Sequence, residues 1–67
     1  MSPTELHATA VRIRSEFMEM PGLRLTMPQA SRLWGLDRHA CEAVVDILIR
    51  NAFLRWTPSG TLAMIDG

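Results

Sequence analysis

The chain runs to 67 residues, 48% of them hydrophobic, with seven acidic and seven basic side chains and a formal net charge of zero. One cysteine rules out an intramolecular disulfide, and no Cys/His cluster offers a zinc site. A chain this short makes one domain with a modest buried fraction; it has no apolar run long enough to cross a bilayer and no signal-peptide pattern, so a soluble cytoplasmic domain without a membrane partner is expected.

Ser2-Pro3-Thr4-Glu5 opens a helix: serine caps, proline suits the first turn and glutamate reaches back from the third position. Leu6, Ala10, Ile13 and Phe17 then recur at helical spacing, with Arg12, Arg14, Glu16 and Glu19 mostly outside that stripe. Pro21-Gly22 is a turn signal that stops the helix near Met20, and Leu23-Arg24-Leu25 is short and extended. Thr26 and Gln29 have the spacing of a capping box, which predicts a second helix from Pro28 to Trp34. Gly35 can take positive φ at its end, Leu36 turns inward, and Asp37 caps a third helix from Arg38 to Arg50.

Cys41, Val44, Val45, Leu48 and Ile49 give the third helix an apolar side, and Asn51 stands where a left-handed cap residue is expected. Small Ser31 lets two helices joined by a short turn approach closely. A Cβ at Gly35 is expected to suffer twice, from the positive φ and from crowding at that crossing. Phe53-Leu54-Arg55-Trp56 and Thr61-Leu62-Ala63-Met64-Ile65 read as two strands joined by a Thr57-Pro58-Ser59-Gly60 turn.

The stretch Thr26 to Leu48, with small Ser31, turn glycine Gly35, apolar Leu36, capping Asp37 and inward Cys41 and Val44, resembles the helix-turn-helix of DNA-binding proteins. The hairpin from Phe53 to Ile65 brings the resemblance closer to the winged helix-turn-helix family, of the small bacterial regulator type. The resemblance implies one domain over residues 1–67, mainly α with a small β-hairpin: a three-helix bundle followed by a C-terminal wing. It also implies that Leu23–Leu25 pairs with the wing as a small strand, that the third helix reads the major groove, and that the chain regulates transcription as a homodimer on double-stranded DNA.

Enzymatic chemistry and a cofactor are not expected. Cys41 and His39 are two apart on a helix and do not face each other, and the chain is too small to enclose a nucleophile with its base. If Cys41, Val44 and Leu48 point to the core, Arg38, His39, Glu42, Ala43 and Asp46 point out. Arg38 can then donate twice to a guanine, His39 to a base or phosphate, and Glu42 can accept from cytosine. Arg38 and Glu42 also have the spacing of a surface ion pair. Arg24 and Arg32 are the candidate phosphate contacts, with Thr26 and the free N–H groups opening the second helix as an added anion site. Arg55 is the sole basic residue near a wing whose tip, Thr57 to Gly60, carries none.

Zero net charge, the carboxylates of the third helix and the uncharged wing tip count against DNA, and favour an alternative: a winged-helix protein-interaction module. Trp34 is expected between the helices and the wing. Trp56 either covers the second side of the sheet or stands exposed as an interface anchor. Val11 and Met18 lie off the inward stripe of the first helix, available to a second copy of the chain.

Overall fold

The structure, a computed structural model, describes residues 2–65, which form three helices and a small three-stranded antiparallel sheet. In chain order the elements are α1 (Pro3–Glu19), β1 (Arg24–Leu25), α2 (Met27–Trp34), α3 (Arg38–Arg50), β2 (Leu54–Trp56) and β3 (Leu62–Met64). Each helix starts on the cap its sequence announces. The Ser2 hydroxyl accepts from the Glu5 N–H at 3.2 Å, and Asp37 Oδ1 accepts from the Ala40 N–H at 2.8 Å. At Thr26 the capping box is complete: the Thr26 hydroxyl accepts from Gln29 N–H at 3.3 Å, and Gln29 Oε1 accepts from Thr26 N–H at 2.9 Å. These bonds make Thr26 the N-cap, so α2 begins at Met27, one residue before the expected Pro28.

α1 and α2 both pack on α3. The inward stripe of α1 is the expected one, with Ala10, Ile13 and Phe17 buried and Leu6 half-buried against the core. Phe17 of α1 meets the Trp34 ring of α2 edge-on at 6.3 Å and Phe53 at 6.5 Å, joining two helices to the start of the hairpin. Trp34 is buried, as expected.

The strands run antiparallel in the order β1-β3-β2, so the segment after Leu23 does pair with the hairpin. Both hairpin strands are shorter than the sequence suggests. Phe53 leaves β2 because its N–H closes the end of α3 by donating to the Leu48 carbonyl at 2.9 Å. Thr61 and Ile65 flank β3. The turn between the strands is closed by its own hydroxyls: Thr57 Oγ1 lies 2.8 Å from Ser59 Oγ and 2.7 Å from Thr61 Oγ1, with Gly60 at φ +84°.

Two local expectations are corrected. Asn51 has φ −83°, not a left-handed value; Ala52, one residue later, has φ +57°. The Ala52 N–H donates to the Ile49 carbonyl at 3.0 Å and the Phe53 N–H to that of Leu48, a Schellman closure with alanine where glycine or asparagine is favoured. The helix thus extends through a non-helical Asn51 before it reverses, and the pattern of polar residues gave no sign of that extra step. At Gly35 the φ of +65° is as expected, but an added Cβ would meet nothing within 4 Å. The expected crowding is absent, because Gly35 faces open space.

A candidate nucleic-acid interface

The turn between α2 and α3 is held by a reciprocal pair of bonds. The Leu36 N–H donates to the Ser31 carbonyl at 3.1 Å, and the Ser31 hydroxyl donates to the Leu36 carbonyl. Serine therefore does more than stay small: its hydroxyl satisfies the Leu36 carbonyl in the turn beyond the end of α2. From α1, Arg12 Nη2 adds a long 3.4 Å bond to the Trp34 carbonyl.

With Cys41, Val44, Val45 and Leu48 of α3 buried, Arg38, His39, Glu42, Asp46 and Arg50 are exposed. Their charges pair along the helix. Arg38 Nε lies 3.1 Å from Glu42 Oε1, and Arg50 Nε lies 3.0 Å from Asp46 Oδ2. Both pairs are solvated i,i+4 contacts, worth about 0.3–0.5 kcal/mol each, and a phosphate or base competes with such a pair at little cost.

The candidate arginines gather around α2. Arg24 and Arg32 line one open groove together with Leu25, Gln29 and Leu33. Arg38 lines a hollow with Met27, Pro28 and Ser31 on another side of the same helix. Of the four donor positions opening α2, Thr26 and Gln29 spend their N–H groups on each other's side chains and Pro28 has no N–H, so the helix start keeps little donor capacity for an anion. His39 lies apart, in a hollow with Leu6, Leu36 and Ala43 between α1 and α3. Glu42 is joined to Arg38, and Arg55 lies on the sheet.

Pairing register brings Arg55 into the group. Ala63 of β3 is opposite Arg24 of β1 on one side and Arg55 of β2 on the other, so the two arginines share one face of the sheet. The adjacent row, Leu25, Leu62 and Trp56, faces the core side, where Trp56 at the hairpin end remains 44% exposed. Local sequence could not show the arginine row, because it depends on a register between segments far apart in the chain.

Cys41 is fully buried, its Sγ 3.5 Å from Met27 Sδ in the α2–α3 seam. Burial, with the Glu42 charge adding to it, pushes the thiol pKa above its ordinary 9.0. A buried, protonated thiol is a packing group. Among the described residues no three His, Cys, Asp or Glu side chains gather as metal ligands, and no helix is long and apolar enough to cross a membrane. In comparisons with known proteins, no family model, no curated protein and no solved structure matches this chain.

Proposed function

We propose that the chain is a winged helix-turn-helix domain that binds double-stranded DNA as a small, non-catalytic regulator. The observation that carries this reading is the segregation of charge. Apart from Asp66, which lies outside the described residues, every acidic side chain stands on α1, on α3 or at the cap of α3. The sheet and α2 hold Arg24, Arg32 and Arg55 with no acid among them, and none of the three is in an ion pair among the described residues. A neutral total thus coexists with unpaired arginines on α2 and the sheet, which supports the reading against the neutral sum, while the carboxylates remain on α3.

On this reading Arg24 and Arg32 hold phosphates beside the N-terminus of α2, whose helix dipole adds partial positive charge next to Thr26. α3 enters the major groove, with Arg38 and His39 at the base edges and Glu42 accepting from a cytosine amine. Fluorescence anisotropy of the chain with a labelled mixed-sequence duplex tests it. Affinity is expected to fall with salt at a log–log slope of about −0.9 per phosphate held. Arg32→Ala weakens all sequences alike, while Arg38→Ala relaxes preference at one base pair. Absence of binding by folded protein at low salt overturns the reading.

In that case a protein-interaction module takes its place. It draws on the self-paired charges of α3 and on the exposed apolar side chains Val11, Met18, Met20, Leu33 and Trp56.

A further inference from the structure

We infer that the groove between α1 and the end of α3 is a binding site for a small monocarboxylate with an apolar body. The inference stands apart from the nucleic-acid reading, because no residue of this groove is among those assigned to DNA. The groove holds about 240 Å³. Its apolar lining comes from Ala10 and half-exposed Val11 of α1, Ile47 and Leu48 of α3, and Phe53 just beyond. Its polar lining is His7, Arg14 and Asn51, and among the described residues no acidic side chain joins them.

Charge, the helix end and size together select the ligand. The Arg14 guanidinium stands over the Phe53 ring, 5.2 Å from its centroid, and is in no ion pair among the described residues. Resting on the ring restrains a long side chain, and the planar fork of N–H donors matches the two oxygens of a carboxylate. The C-terminus of α3 would ordinarily repel an anion here, but its end is blunted. The carbonyls of Ile47, Leu48 and Ile49 already accept from the N–H groups of Asn51, Phe53 and Ala52. The volume falls short of the ~300 Å³ at which sites for drug-sized ligands begin, so the apolar body is small, about six carbons. With no carboxylate in the lining, an ammonium group would find no partner, which disfavours a zwitterionic amino acid of the same shape.

The test is a titration of the isotope-labelled chain with sodium isocaproate, followed by its backbone amide NMR signals. Saturable shifts are expected at Val11, Leu48, Ala52 and Phe53, around the groove. Isocaproamide, which keeps the shape without the charge, and leucine, which adds an ammonium group, are each expected to bind at least about tenfold more weakly. Arg14→Gln is expected to bring isocaproate down to the level of its amide and to leave the amide's binding as it is. Arg12→Gln, a charge control on α1 outside the groove, is expected to change neither. Both arginines are exposed, and the same spectra report that each variant keeps the fold. An amide that binds as tightly as the acid overturns the inference, as does Arg14→Gln with the parent's affinity. Shifts that gather instead at Arg24, Arg32 and Arg55, or an equal loss from Arg12→Gln, also overturn it, since any arginine would then serve. None of these outcomes touches the duplex titration, so the two readings fail separately.

Discussion

Ala52 holds a left-handed backbone at φ +57° without the freedom that glycine has there, while Gly35 holds φ +65° with it. Each is followed by a residue whose N–H bonds a carbonyl five residues back, Leu36 to Ser31 and Phe53 to Leu48, so they form a natural pair for experiment. Ala52→Gly is expected to raise stability by about 0.5–1 kcal/mol, because strain relief at the helix end outweighs the added entropy of the unfolded chain. Gly35→Val is expected to lower stability by ~1–2 kcal/mol, from backbone strain alone, since the added side chain meets open space. Urea unfolding of both variants checks the pair; a neutral Ala52→Gly would place the end of α3 elsewhere. The sequence carried a clear sign of one position and a misleading sign of the other. Glycine before Leu36-Asp37 marks a left-handed turn directly, whereas Asn51 draws attention away from an alanine whose conformation is imposed by the burial of Phe53 and Leu54 just beyond it.

At the scale of elements, the caps were legible because they are local: Ser2, Thr26 and Asp37 each act within three residues of themselves. So were the buried stripes of α1 and α3, which follow from periodicity. The strand ends were not, because Phe53 serves two elements at once: its N–H closes α3 on the Leu48 carbonyl while its carbonyl accepts from the Ile65 N–H across the hairpin. The α2–α3 seam gives a test at this level. The chain has no tyrosine, and all seven basic residues are arginine, so Cys41 is the one side chain that titrates between about pH 8 and pH 12. Its pKa is raised in the fold by burial and then by Glu42, so the folded chain keeps the proton after the unfolded chain has released it. Stability contributed by the protonated thiol is present below the ordinary value of 9.0 and declines as pH rises beyond it. Cys41→Ala is expected to be less stable at neutral pH but to lose that alkaline decline; chemical denaturation at a series of pH values compares the two slopes. An unchanged decline in the variant would take the thiol out of the seam.

For the whole molecule, the candidate site was readable as a set of residues but not as a surface. Arg24, Arg32, Arg38 and Arg55 could be named from the chain, but their grouping around α2 and across Ala63 is set by packing and register. Association of copies belongs to this scale too. Val11 and Met18 are 51% and 60% exposed, two turns apart on one side of α1, and a two-fold pairing through them would present two copies of α3 to a palindromic site. Sedimentation at micromolar concentration is expected to give a dimer, and Val11→Glu/Met18→Glu a folded monomer; a parent that stays monomeric at high concentration removes the palindrome along with the dimer. The strand order β1-β3-β2 carries one more consequence. The middle strand is the last of the three to leave the ribosome, and its two partners cannot pair with each other in its place. Closing so long a loop is the slow, entropically costly step of such a topology. Until β3 inserts, Arg24 and Arg55 are two unrelated charges on loose segments; afterwards they are one surface. On the proposed DNA reading, assembly of the cationic surface and completion of the fold would then be the same event, and a half-made or frayed chain, though it carries every arginine, would present no such surface.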